Sequence, residues 1–385
     1  MESAMDATSV LLIVTCSTVL ATVLFLLIAE SVNSGKRNKL PPGNLGLPLI
    51  GQTFGFLRAH KNNRVNDWIE EKVAKHGSVF KTSLMGCPTV VLTGQEGNRF
   101  LFQNDCNTLV NKQPITLSRI LGMNNILDLN GDEHKRMRGA IMKFLKPEAL
   151  QKFVGRMDSV IQQHFADCWE GKESITVLPL IKTVTFQVAC DLLFSLKDGK
   201  ETDILGKYFT EAAKGMWSLP FNFPGTAFHG GLNARCRICK RLSSLLQVRR
   251  NEIEQGESSP DKDLMSSMLS MRDENGTALT EEEIINNEMV VMSGGHETTC
   301  ALLVHLVRLL ALNPDVYEKV YEEQMKVLAE KESQESLQWV DIQKMKYTWK
   351  VAQETLRFTS PVSGGFKKAI QNVEFSGYTL PKGWQ

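Results

Sequence analysis

The sequence predicts a mainly α protein with small β-sheets behind an N-terminal transmembrane helix. Three observations carry that expectation: an uncharged apolar run near the start, one short β-rich hairpin before residue 98, and apolar residues at helical spacing through most of the chain after it.

Ser9 to Ala29 is a run of twenty-one uncharged, mostly apolar residues, long enough to cross a hydrocarbon core of about 30 Å. A cleaved signal peptide would start basic, whereas this chain starts with Glu2 and Asp6. Lys36, Arg37 and Lys39 follow the run, so the positive-inside rule puts the body of the protein in the cytosol. The implied order is a short lumenal segment (1–8), a membrane anchor (9–29), a basic and proline-rich hinge (30–52) and one body from 53 to 385.

Within the body, Lys61 to His76 has a helical pattern ended by Gly77. Val79 to Leu84 and Thr89 to Thr93 read as two strands separated by Met85-Gly86-Cys87-Pro88. Leu150, Phe153, Met157 and Val160 recur at helical spacing, as do apolar residues from Leu178 to Leu193. Leu219 to Gly231 reads as a loop, Gln255 to Lys262 as a polar loop, and Asp273-Glu274-Asn275-Gly276 as a turn. Thr280 and Glu283 frame a capping box, so a long helix should run from Glu281 to about Ala311, where Asn313-Pro314 stops it. A last helix runs from Lys346 to Arg357, ahead of Pro361.

Composition narrows the function classes. With 42% hydrophobic residues in 385 the chain can bury a large core, and a net charge of +1 with no basic-aromatic patch gives no reason to expect nucleic-acid binding. The eight cysteines are scattered, as fits reduced thiols in the cytosol. Cys236-Arg237-Ile238-Cys239 lacks the second pair that a zinc site needs. The basic residues around it, Arg235, Lys240, Arg241, Arg249 and Arg250, read as a solvated face near a membrane or redox partner.

The chemistry concentrates in two helices. Gly294-Gly295-His296-Glu297-Thr298-Thr299 interrupts the long helix with two glycines, each costing roughly 1 kcal/mol against alanine, which clears space for a large flat object against the backbone. Glu297 and Thr298 flank that space as an acid and a hydroxyl. On the later helix Glu354 and Arg357 share a face.

Taken with Leu40-Pro41-Pro42-Gly43 through Pro48-Leu49-Ile50-Gly51, Gly131-Asp132-Glu133-His134-Lys135-Arg136-Met137-Arg138 and Gly377-Tyr378-Thr379-Leu380-Pro381-Lys382-Gly383-Trp384, these motifs resemble the cytochrome P450 superfamily, the haem-thiolate monooxygenases. Val79 to Gly86 and Gln353 to Arg357 are similar to plant terpenoid and sterol hydroxylases. The resemblance implies an incomplete P450 fold, because the sequence stops at Gln385, before the family's haem-ligating cysteine loop. None of Cys16, Cys87, Cys106, Cys168, Cys190, Cys236, Cys239 and Cys300 follows the Glu-x-x-Arg helix, so no metal ligand is assigned and the chain as it stands is expected to be inactive. If another cysteine served, Cys300 is the first to test.

The resemblance also implies roles. Glu297 and Thr298 would be catalytic, moving protons on the oxygen-binding side of haem. His134 and Arg138 would hold the haem propionates, with Lys367 as a further cation, while Gly294 and Gly295 would lie against the ring. Val291, His296, Ser363, Gly364 and Gly365, with the loop from Leu117 to Ile126, would touch a bulky apolar terpenoid or sterol. Glu354 and Arg357 would form a structural ion-pair network. Implied partners are haem, an NADPH-dependent reductase, the apolar substrate and the endoplasmic reticulum membrane, crossed once with the body facing the cytosol. Two other readings stay open here: a non-catalytic membrane-anchored remnant that binds a ligand or partner, and an incomplete gene model.

Overall fold

The computed structural model of the chain describes residues 14–15, 17–18, 21, 39–47, 50–103, 107–197, 199–331 and 336–385. Residues 14, 15, 17, 18 and 21 are helical. Most of the expected anchor, Lys36 and Arg37, Pro48-Leu49, Cys16 and Cys106 lie outside the described residues. The body separates into two compact units, Met1–Pro114 with Phe366–Gln385, and Ile115–Gly365.

The first unit holds helices α1 (Thr53–Lys61), α2 (Val65–His76) and α3 (Gly94–Gln103), with strands β1 (Val79–Leu84), β2 (Cys87–Leu92), β3 (Leu109–Asn111), β4 (Lys367–Ala369), β5 (Val373–Phe375) and β6 (Tyr378–Leu380). The helix expected over 61–76 is split, because Asn62 and Asn63 turn the chain, with Asn63 at φ 54°. Gly77 ends α2, its N–H donating to Val73 O at 2.8 Å.

The strands pair as three antiparallel couples, β1–β2, β3–β4 and β5–β6. In the first, Val79 faces Leu92 and Leu84 faces Cys87. The second strand therefore begins two residues earlier than expected. Met85 (φ 53°) and Gly86 (φ 81°) are both left-handed, which is the two-residue turn whose twist matches a hairpin. Val79, Val90, Leu109, Ala369, Val373 and Leu380 form this unit's apolar core, with Phe100 against Phe375 at 4.5 Å between ring centroids.

The second unit is helical: α4 (Ile115–Leu121), α5 (Gly131–Leu145), α6 (Pro147–Leu150), α7 (Val154–Cys168), α8 (Val177–Phe194), α9 (Lys200–Met216), α10 (Ala227–Glu254), α11 (Leu264–Leu269), α12 (Glu281–Leu312), α13 (Pro314–Ala329), α14 (Trp339–Lys344) and α15 (Lys346–Phe358). Its core draws on Ile120, Met137, Phe194, Leu205, Ile238, Leu242, Leu264, Met268, Ile284 and Met292, all at most 1% exposed. Among the described residues α8 is long and apolar enough to cross a bilayer, yet Ile181, Val184, Phe186, Cys190, Leu193 and Phe194 are buried, as fits a core helix.

The capping box that starts α12 is present. Glu283 N–H donates to Thr280 Oγ1 at 3.2 Å and Thr280 N–H donates to Glu283 Oε2 at 2.8 Å. Asn313 closes the helix, which extends to Leu312. The loop expected over 219–231 is shorter, because Thr226 caps α10 by accepting from His229 N–H at 3.3 Å. Gly231 then lies inside a helix, where it lets α10 cross α9: a Cβ on Gly231 would stand 2.9 Å from Gly215 Cα.

Candidate active site on the glycine-broken helix

Gly294 and Gly295 lie near the middle of α12. Both are exposed, and a Cβ built on either meets no atom within 4 Å, so a bare strip of backbone runs along one flank of the helix. Thr298 lies one turn on from Gly294, and its hydroxyl donates to Gly294 O at 2.5 Å. That bond uses the proton of the hydroxyl and leaves oxygen lone pairs free to accept.

Glu297 leans another way. Its Oε1 is 3.2 Å from Lys182 Nζ on α8, with the side chain about half exposed. His296 requires a correction. It is 4% exposed, its Nδ1 is 2.9 Å from Thr185 Oγ1, and its ring packs edge-on against Phe186 at 5.3 Å. It joins α12 to α8 and does not share the flank of Gly294 and Gly295. Helical geometry gives the reason: positions 292, 296 and 300 repeat every fourth residue and form one buried stripe, Met292, His296 and Cys300. Burial lowers the pKa of His296, against the opposing pull of Glu297 and together with Lys182. Thr185 O–H donates to Ile181 O at 2.8 Å, so its oxygen is left to accept from a His296 protonated on Nδ1.

The other expected residues are dispersed. His134 is half-buried and Arg138 exposed on α5, with no ion pair to Arg138 among the described residues. Val291 is half-buried against the core of the second unit. Ser363, Gly364 and Gly365 are exposed. Lys367 Nζ is 3.3 Å from Asn111 Oδ1 in the first unit. Glu354 and Arg357 are one exposed bidentate pair, with nitrogen–oxygen distances of 2.8 and 2.6 Å, so the expected network is a single i,i+3 contact among the described residues. Arg357 also lies over the Phe358 ring at 4.5 Å.

The open flank at Gly294 and Gly295 is the kind of surface that a flat macrocycle needs, since no Cβ stands between it and the backbone there. Cys300, on the same helix, does not face that strip. Cys300 is 3% exposed on the buried stripe, and burial pushes its thiol pKa up, as it does for Cys190. A recess of about 810 Å³ opens elsewhere in the second unit, lined by Arg235, Cys239, Lys240, Ser243, Glu281 and Asn286 among others, and it takes in none of the expected site residues.

Sequence reasoning missed the polar side chains that shape the start of α12. Asn286 and Asn287 are at most 1% exposed. Two amides inside the apolar run from Ile284 to Met292 were the signal, since a buried amide needs partners.

Helices with small antiparallel sheets, and a long helix with a glycine gap beside a threonine, are the features that the comparisons assign to the haem-dependent monooxygenases. The Cytochrome P450 profile matches residues 41–385, and the chain belongs to that family. It is 37% identical over 381 residues to taxane 10-beta-hydroxylase of Taxus cuspidata, which spans 99% of this chain and 76% of that protein. It is 36% identical over 364 residues to beta-amyrin 28-monooxygenase of Vitis vinifera, spanning 94% of this chain and 75% of that protein. Among solved structures, retinoic acid bound cyanobacterial CYP120A1 superposes with a TM-score of 0.81 at 29% identity, covering 90% of this chain and 76% of that one. Membership brings oxidoreductase chemistry of the monooxygenase type, with haem as cofactor, a reductase as electron source and an apolar substrate.

Proposed function

We propose that this protein hydroxylates a bulky apolar terpenoid or sterol at the cytosolic face of the endoplasmic reticulum, held there by residues 9–29, with 30–52 as the hinge to its body. The Taxus and Vitis relatives act on taxane and beta-amyrin skeletons, which supports a substrate of that class. The single observation that carries the reading is the glycine gap of α12 with the Thr298 hydroxyl bonded at its edge.

Haem, when bound, supplies the iron at which dioxygen is activated for insertion of one oxygen atom into a C–H bond, the other leaving as water. Two electrons come from NADPH through the reductase, and two protons come from solvent. This chain's residues have separate tasks. Gly294 and Gly295 leave room for the ring. His134 and Arg138, one turn apart on α5, donate to its propionates. Thr298 orients a water by accepting a hydrogen bond from it while its own O–H donates to Gly294 O. Glu297, half exposed beside Lys182, links that water to bulk solvent. Val291, Ser363, Gly364, Gly365 and the segment from Leu117 to Ile126, which is helical as far as Leu121 with Leu117, Ile120 and Leu121 in the core and a loop only after it, exclude water and shape the substrate space.

The test is Thr298→Ala in the haem-loaded protein with its reductase and a triterpene or diterpene. Haem content should stay within about a factor of two, while the share of NADPH that ends as peroxide rises about tenfold at the expense of hydroxylated product. Unchanged coupling would remove Thr298 from proton delivery, and no product from any terpenoid or sterol would remove the substrate class.

A further inference from the structure

The loop after α4 is held by side chains that none of the expected roles accounts for. Gly122 (φ 104°) and Asn124 (φ 61°) both stand in the left-handed region, which glycine and asparagine adopt more readily than other residues. The surroundings here are amides. Asn286 Nδ2 donates to Met123 O at 2.8 Å, and Ile126 N–H donates to Asn287 Oδ1 at 2.8 Å. Asn287 is itself fixed, since its Nδ2 donates to Glu283 O at 2.7 Å. Asn125, fully buried, closes the loop on itself by donating to Gly122 O at 2.5 Å and accepting from Leu127 N–H at 2.8 Å.

Arg235 on α10 ties the same group from a third side. Its Nη2 donates to Asn286 Oδ1 at 2.6 Å and its Nη1 to Ile120 O at 3.1 Å. A Cβ on Gly122 would overlap the Asn286 amide, so loop and helix touch with no space between. Ile120 is seated just as closely, its Cδ1 2.8 Å from where a Cβ would stand on Gly215 or Gly231 at the crossing of α9 and α10. The main-chain carbonyls of Ile120 and Met123 and the amide of Ile126 are thus pinned within seven residues, while the Met123 side chain stays exposed.

We infer that Asn286, Asn287 and Arg235 are positioning residues that lock the 120–126 segment, the end of α4 and the loop after it, in one conformation and thereby select which apolar skeleton the site accepts. This rests on the proposed substrate role of that loop. The reason is physical: buried hydrogen bonds in a low dielectric permit few alternative arrangements, so the loop presents a fixed wall in place of an adaptable one. An apolar pocket discriminates between skeletons mainly by shape, so the wall's conformation becomes the selective element.

The experiment has two arms, both on the full chain. In the first, hydrogen exchange is followed at the Ile126 amide, with Tyr317, whose N–H donates to Asn313 O at 3.1 Å on α13, as an internal control. Asn287→Ala should speed exchange at Ile126 about tenfold or more and leave Tyr317 unchanged. Asn287→Asp, which keeps an oxygen acceptor for Ile126, should restore protection. Arg235→Met acts from the half-buried side and covers the case in which an alanine at 287 does not fold.

In the second arm, equilibrium dialysis measures the affinities for β-amyrin and for a taxane diterpene. The ratio of the two should shift about fivefold in Asn287→Ala and Arg235→Met and return in Asn287→Asp. Unchanged exchange at Ile126 overturns the positioning role. Faster exchange with an unchanged affinity ratio overturns the selective role. If the unaltered chain holds neither skeleton, the proposed substrate class is what fails, and the exchange arm still decides whether the three residues lock the loop.

Discussion

His296 Nδ1 lies 2.9 Å from Thr185 Oγ1, which makes a histidine flanked by glycine and glutamate a strut between α12 and α8. The consequence is that His296 carries stability and leaves substrate contact to its neighbours.

Replacing His296 with alanine should therefore cost about 2–4 kcal/mol, from the lost buried hydrogen bond and the cavity left beside Phe186. Chemical denaturation checks this. The pH dependence comes from a folded pKa below 6.5: the strut's contribution is complete above the unfolded value and is lost as pH falls through the folded one. Terpenoid affinity of the surviving folded fraction should change less than threefold; a larger drop would return His296 to the substrate face.

Glu288, one turn before Met292 on α12, is fully buried, and neither carboxyl oxygen has a hydrogen-bond partner among the described residues. Burial raises its pKa well above 4.5, Asp263 adds to the rise and Arg249 opposes it. Arg249 is already engaged, donating to Asp263 and, at 2.8 Å, to Ser266 Oγ. Glu288→Met should stabilise the protein by about 1–3 kcal/mol near neutral pH. Because the folded pKa is raised, the glutamate's penalty is least below 4.5 and grows as pH rises through the folded value. Melting temperatures at pH 5 and pH 8 check this; an equal or negative gain at pH 8 would show that a water or ion serves the carboxylate.

Glu323 on α13 caps a different helix. Its carboxylate accepts from Tyr347 N–H at 2.7 Å and from Thr348 N–H at 2.8 Å, at the free N-terminus of α15. Desolvation opposes ionisation, but these bonds outweigh it and lower the pKa below 4.5. Glu323→Ala should cost about 1 kcal/mol, discounted for partial solvent screening. The loss should be full above the unfolded pKa and vanish as pH falls through the folded one, where the native carboxylate is protonated too. A ΔΔG that does not change between pH 7 and pH 3 would assign the effect to packing.

Asn275-Gly276-Thr277 is the one glycosylation sequon in the chain, and Asn275 lies in an exposed turn where Gly276 N–H donates to Asp273 O at 2.9 Å. With the body in the cytosol it should stay unmodified in a eukaryotic host. Treatment with an endoglycosidase should leave the protein's mobility on a gel unchanged, and a mobility shift would reverse the proposed topology.

The α12 helix was legible from sequence because its signals are local. Thr280 and Glu283 lie within one turn of each other, Asn313-Pro314 ends the helix by covalent geometry, and the bare flank at Gly294 and Gly295 comes from the absence of a Cβ. The Met85-Gly86 hairpin and the Gly77 stop were readable for the same reason, with the strand boundary displaced by the two left-handed residues. Family membership was readable because several such local motifs occur in one order.

Which way the other side chains face was decided only by tertiary packing. His296, Glu297 and Thr298 are consecutive, yet about 100° separates neighbours on a helix, so His296 and Glu297 meet α8 at two places, Thr185 and Lys182, while Thr298 turns back onto Gly294 of its own helix. Asn286 and Asn287 gained their meaning only when a loop 161 residues away in sequence came within hydrogen-bond reach. Glu288, without such a partner, kept only the cost of burial. Sequence spacing fixes where a side chain starts on its helix, and the long-range contacts that stabilise the core fix what it meets.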